Sequence, residues 1–252
     1  MSDILSIRLT GHDIDNRRKE ISKLLAAEST TIKNETITSL STADLNLLFQ
    51  LYDRLFLENW FKHNYRGKLK FSLSRRMTKS AGLTLCPKNM DRIKPEDLVI
   101  EIRIGVDFFF HYGLVEGGKT VCGIKASSSL DALQLVFEHE LCHVIEFILF
   151  KRSNCRGKRF KTIAGNIFGH TESYHMLPTN RQIARQKLGL KIGDPVSFTF
   201  EGKKLTGFIY NINKRATVMV RNNKGDLIDR HGNRYSKYYV PLTLIDPGRR
   251  AP

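Results

Sequence analysis

The sequence predicts an α+β protein in two parts: helices with a small sheet up to about residue 190, then a small all-β barrel. Three observations carry this. The segment from Asp131 to Phe150 is apolar almost without a break and too long for a strand, so it reads as a buried helix. Short strand-like runs stand before it, at 68–73, 81–85 and 99–104. From Gly193 onward the texture changes to alternating runs around Val196, Phe198 and Phe200, then Phe208 to Tyr210, Thr217 to Val220 and Tyr238 to Val240. Turn residues such as Glu201-Gly202 and Asn222 to Gly225 separate them.

Taken in order, residues 12–28 mix Ile14, Ile21, Leu24 and Leu25 with Arg17, Arg18, Lys19 and Lys23, as in an amphipathic or peripheral helix. A Ser/Thr-rich stretch, 29–42, reads as loop or linker. Leu45, Leu48, Phe49, Tyr52, Leu55 and Phe56 then recur at helical spacing behind a capping sequence, Ser41 to Asp44. Ser129 or Asp131 caps the long apolar helix, and Gly157 to Phe168 forms another that ends at Gly169. A short basic helix, Gln182 to Leu188, precedes the β-rich tail. The expected divisions are 1–40, a helical and linker segment; 41–190, the main domain; and 191–252, the basic β module.

The chain has 252 residues, with 41 Lys+Arg against 25 Asp+Glu, a net charge of +16 that favours polyanionic partners. No apolar run reaches the ~20 residues of a membrane span. The opening residues do not read as a signal peptide, and four cysteines do not make a disulfide scaffold. A soluble protein of the reducing cytoplasm is expected.

Chemistry concentrates in His139-Glu140-Leu141-Cys142-His143, within the buried helix. Residues four apart share a helix face, so both imidazoles reach one metal ion, and Glu140 stands beside it as general base. Two histidines and a carboxylate buried in an apolar helix are costly unless something binds them. Zinc with three protein ligands keeps one position open for catalysis. The third ligand lies outside the motif; Cys155, His170 and His175 are the candidates. Glu146 suits a supporting ion pair, and Cys142 reads as core.

These residues resemble the SprT-like metalloprotease family, which includes the spartan-type DNA–protein crosslink proteases. Phe49-Gln50-Leu51-Tyr52-Asp53-Arg54-Leu55-Phe56 is similar to the family's opening helix. Leu73 to Gly82, containing Arg76-Met77-Thr78 and Ala81-Gly82, is similar to its R-M-T-x-x-A-G strand. The likeness covers roughly 45–177 and implies a zincin-like core and a zinc-dependent endopeptidase. The family's H-G-x-x-F, which supplies its third zinc ligand, is here Arg156-Gly157-Lys158-Arg159-Phe160. Arginine stays protonated and is no ligand. Cys155 is the first choice of replacement, with His170 behind it and His175 last. On the endopeptidase reading, Arg156, Tyr174 or His175 is a candidate to stabilise the tetrahedral oxyanion. The tail resembles an SH3-like or KOW-like module instead of a zinc ribbon.

Lys151, Arg152, Arg156, Lys158, Arg159 and Lys161 cluster with no acid among them, and from Lys191 onward there are twelve Lys/Arg against five acids, Lys214 and Arg215 included. Tyr210, Tyr235, Tyr238 and Tyr239 lie among those charges, a mixture that suits nucleic acid. The expected partners are therefore nucleic acid, DNA above all, and proteins bound or crosslinked to it, with a nucleoid association if the source is bacterial. The other reading is a nucleic-acid-binding protein with a structural or degenerate metal site.

Overall fold

The computed structural model describes residues 4–247; Arg249 and Arg250 of the basic tail lie outside them. In chain order the elements are α1 (Gly11–Glu28), α2 (Thr42–Leu55), α3 (Trp60–Asn64), β1 (Lys68–Ser74), β2 (Gly82–Leu85), β3 (Val99–Gly105), α4 (Asp107–Phe110), β4 (Lys119–Val121), β5 (Ile124–Ala126), α5 (Ser129–Phe150), α6 (Lys158–Phe168) and β6 (His175–Met176). Then follow α7 (Asn180–Leu188), β7 (Pro195–Phe200), β8 (Lys203–Ile212), β9 (Arg215–Arg221), β10 (Leu227–Ile228), β11 (Arg234–Pro241) and β12 (Asp246–Pro247). The chain divides into two compact units, 1–177 and 178–252. Among the described residues no helix is long and apolar enough to cross a membrane.

In the first unit β1 pairs parallel with β3 and β2 pairs antiparallel with β3, giving the order β1-β3-β2. A second small sheet has the order β5-β4-β6. α5 is the spine. Most of its residues are buried, and Ser128, not Ser129 or Asp131, caps it by accepting from the Asp131 N–H. α2 begins in a capping box of Ser41 and Asp44 and buries Leu45, Leu48, Leu51 and Tyr52. α6 ends where Gly169 takes φ 66°, a left-handed cap that suits glycine.

Residues 4–40 are part of this unit's core. Ile4, Ile14, Ile21, Leu25, Ile32 and Ile37 are buried in the same cluster as α5. The basic residues of α1 suggest a peripheral helix, but Ile14, Ile21 and Leu25 make a stripe at seven- and four-residue spacing that faces inward.

The second unit is a six-stranded sheet of order β10-β11-β9-β8-β7-β12. Its ladder runs open from β10 to β12, so the closed barrel expected from the sequence is not what forms. Both edge strands are only two residues long, which blunts the edges without closing them. One face packs Val196, Phe198, Ile209, Ala216, Val218 and Val240 against Ala184 of α7, Leu190 and Ile245.

Candidate metal centre

The centre is built outward from α5. His139 and His143 lie one helical turn apart, and their Nε2 atoms face each other at 3.2 Å. Each ring is held by its other nitrogen. His139 Nδ1 is 3.5 Å from Cys122 Sγ. His143 Nδ1 is 2.6 Å from Ser153 Oγ, whose hydroxyl in turn donates to Glu146 Oε2 at 2.7 Å. The Arg159 guanidinium donates to Glu146 Oε1 at 2.7 Å, closing a relay from imidazole to carboxylate to cation. With Ser153 donating to Glu146, its oxygen is free to accept from the Nδ1–H of His143, so the Nε2 lone pair is left bare.

The 3.2 Å contact is an N–H···N hydrogen bond when His139 carries its proton on Nε2, and a pair of metal-facing lone pairs when it carries it on Nδ1. Two nitrogens on a tetrahedral zinc at ~2.0–2.1 Å are separated by roughly 3.3 Å, so the spacing fits that ion. Burial favours the uncharged ligand form. It lowers the His139 pKa to about 2, with neighbouring imidazoles adding to the effect, and that of His143 to about 4 against a smaller opposing pull from Glu146.

Cys155 joins this pair. Ligand atoms of His139, His143 and Cys155 all lie within 4.8 Å of one another. A second such group, Cys122, His139 and His175, shares His139. β6 places His175 opposite Val121 of β4, and its buried Nε2 has no hydrogen-bond partner. His170 is differently placed. Its Nε2 lies 2.8 Å from Glu138 Oε2, and it belongs to neither group. The left-handed turn at Gly169 swings it towards that carboxylate instead of the metal side.

Glu140 is buried beside β2. The Thr84 hydroxyl donates to its Oε2 at 2.7 Å, and burial raises its pKa to about 7 despite that bond. A Cβ on Gly82 would come within 2.5 Å of Glu140 Oε1, so the absent side chain is what makes room for the carboxylate.

Beneath the centre is a network that the motifs do not reveal. Glu138 is wholly buried and receives Arg18 Nε and Nη2 at 2.8 and 2.7 Å, together with the Tyr52 hydroxyl at 2.7 Å. Burial raises its proton affinity, but Arg18 and His170 outweigh it and the pKa falls to about 2. The one available signal was an acid inside an apolar helix, which requires a cation. Ser153 and Thr84 carry no comparable signal, since a hydroxyl in a loop or strand is ordinary.

The basic residues divide between the units. Lys151, Arg152, Arg156, Lys158 and Lys161 are exposed around the α5–α6 loop, while Arg159 is engaged by Glu146 and stacks 3.9 Å from the Phe150 ring centroid. Lys214 and Arg215 are exposed at the β8–β9 turn of the second unit.

No curated protein and no solved structure matches the chain. The sequence profile described as the SprT-like family matches residues 45–181, which run from α2 through the centre into α7. More than half of the protein is covered, and it belongs to the SprT-like family.

Proposed function

We propose that the protein is a zinc-dependent endopeptidase, with His139, His143 and Cys155 holding the metal and Glu140 as its base. The observation that carries this is the pair of facing Nε2 atoms, each imidazole fixed from behind and a buried carboxylate next in sequence to the first. Membership of a family that is generally metallopeptidase-like and metal-dependent supports it. A bound zinc supplies Lewis acidity, polarising the scissile carbonyl and making water a better acid. Glu140, whose raised pKa suits a proton carrier near neutrality, takes the proton from the attacking water and returns it to the leaving amine. Thr84 holds Oε2 in place through both transfers. His175, with its unpartnered Nε2, is the neighbour best placed to meet the substrate oxygen.

The substrates we infer are proteins bound or crosslinked to nucleic acid, DNA above all. The net charge of +16 and the exposed cations of the α5–α6 loop support that partner. Four unpaired cysteines suit a reducing cytoplasm. The test is Glu140→Gln, expected to keep stoichiometric zinc and to lose cleavage; undiminished proteolysis in that variant would remove Glu140 from the mechanism. The absence of the family's third histidine favours one other reading, a nucleic-acid-binding protein with a structural metal. Zinc retained in a wild type that cleaves no DNA-bound protein would support it.

A further inference from the structure

His139 can offer a metal either of its two nitrogens, and the two face different neighbours. Nε2 faces His143, while Nδ1 faces Cys122 Sγ at 3.5 Å. A nitrogen and a sulfur on one tetrahedral zinc, at ~2.0–2.1 and ~2.3 Å, are roughly 3.6 Å apart, so the second spacing also fits the ion. His175 completes a set of three on this side. Its ring stands at 81° to that of His139 with centroids 5.0 Å apart, and ligand atoms of Cys122, His139 and His175 all lie within 4.8 Å of one another. The buried Nε2 of His175 has no hydrogen-bond partner, which calls for an ion or ligand to meet it.

Cys122 holds its place at a backbone cost. It takes φ 53° in the turn between β4 and β5, a conformation that suits Gly, Asn or Asp and not cysteine. Three backbone hydrogen bonds pin that turn to the segment leading into β6. The Cys122 N–H donates to the Tyr174 carbonyl at 2.9 Å, and the Cys122 carbonyl accepts from the Thr171 and Glu172 N–H groups, both at 3.1 Å. The strained residue is thus fixed against the strand that carries His175, as strain at a functional position is.

We propose that Cys122, His139 through Nδ1, and His175 form a second zinc site, alternative to that of His139, His143 and Cys155. One thiolate and two imidazoles suit zinc, and the set has no oxygen donor to favour magnesium or calcium. A neutral imidazole has a single lone pair, so His139 serves one site at a time. On binding here the ion displaces the Cys122 thiol proton to solvent. The His139 proton moves from Nδ1 to Nε2 and is donated to Nε2 of His143. Zinc in this position is a resting form, with no ion between His139 and His143; zinc in the first site leaves His175 free for the substrate. The alternation rests on the ligands proposed above, whereas the second site stands on its own three residues.

The experiment uses the full chain, freed of metal by a chelator. Co2+ is added to read thiolate ligation from its charge-transfer absorption, and zinc affinity is measured by competition with a chelating dye. Wild type is expected to bind one equivalent. His143→Ala, which breaks only the first site, should still bind one Co2+ with the thiolate band. Adding Cys122→Ser or His175→Ala to it should abolish the band or weaken zinc about a hundredfold or more, the upper end of what a lost supporting partner costs. Cys122 is buried and His175 only half-buried, so the two variants test the site independently, with the melting temperature of each metal-free chain as a check on folding. Binding in His143→Ala that depends on Cys155 instead, or its loss while wild type still binds, overturns the second site and leaves the peptidase ligands untouched. Two equivalents in the wild type overturn the alternation. A wild type that binds neither metal overturns both this site and the zinc centre proposed above.

Discussion

Ser153 touches no metal-facing atom, yet it decides how His143 presents its lone pair. Its hydroxyl links the imidazole to Glu146, and Glu146 is fixed by Arg159. Partners of this kind orient a ligand and raise its basicity, and removing one typically costs 10–100-fold in metal affinity. Ser153→Ala is therefore expected to weaken zinc by about that factor while the chain stays folded, measured by competition with a chelating dye. Unchanged affinity would mean that helix geometry alone orients His143. Gly82 is a second such position. Any Cβ there approaches Glu140 Oε1 and also Val136, at 2.8 Å, so the carboxylate has to leave its place against Thr84. Gly82→Ala should keep zinc but lower cleavage about a hundredfold or more, the scale of lost general-base catalysis. Parallel loss of zinc would show that the whole of α5 had shifted instead.

Between elements, the decisive contact is α1 on α5. A carboxylate with no exposure, Glu138, meets a guanidinium whose side chain is 14% exposed. Arg18→Met leaves that charge buried and uncompensated, and is expected to destabilise the fold by roughly 3–5 kcal/mol, read from urea unfolding. The same contact sets a pH window. Glu138 has its pKa depressed from 4.5 to about 2, so its stabilisation is present above pH 4.5 and lost as pH falls towards 2. In metal-free protein the imidazoles add a higher window: burial depresses His143 and His175 from 6.5 to about 4 and His139 to about 2, so the unfolded chain binds more protons below pH 6.5 and stability falls as pH falls, opposed in part by Glu140, whose pKa is raised from 4.5 to about 7. Glu138→Gln should make the fall in stability between pH 4.5 and 2 shallower without abolishing it, because His139, depressed from 6.5 to about 2, also titrates there; an unchanged slope in that range would remove Glu138 as a source. Much of this scale was legible in the sequence. The length and apolarity of α5 gave a buried helix, and the four-residue spacing gave one metal-facing side. The role of α1 was not, because pairing Arg18 with Glu138 spans 120 residues and local periodicity carries no such information. His170 misled for a related reason: its residue type permits metal binding, and only the turn at Gly169 sends it to Glu138.

Across the whole molecule, a change of texture and a boundary between folded units are different things. Alternating strands begin near residue 193, which sets the sequence boundary at 190, but the compact units part between Leu177 and Pro178. The intervening helix α7 has a capping box at Thr179 and a left-handed Gly189, so it is well formed locally whichever unit it joins. Its one fully buried residue, Ala184, packs with Leu190, Ile209 and Ile212, and the Leu190 N–H donates to the Ala184 carbonyl. An open sheet needs such a cover, since a face of Val196, Phe198, Val218 and Val240 left in water forfeits about 25 cal/mol for each Å² exposed. Ala184 of α7, Leu190 and Ile245 supply part of that cover. Residues 178–252 are thus expected to unfold cooperatively as an isolated fragment, and residues 191–252, which lack α7 and Leu190, to aggregate or melt without a transition. Calorimetry and circular dichroism on the two fragments decide it. Equal stability would mean that the sheet covers its own core and that α7 is an ornament on it.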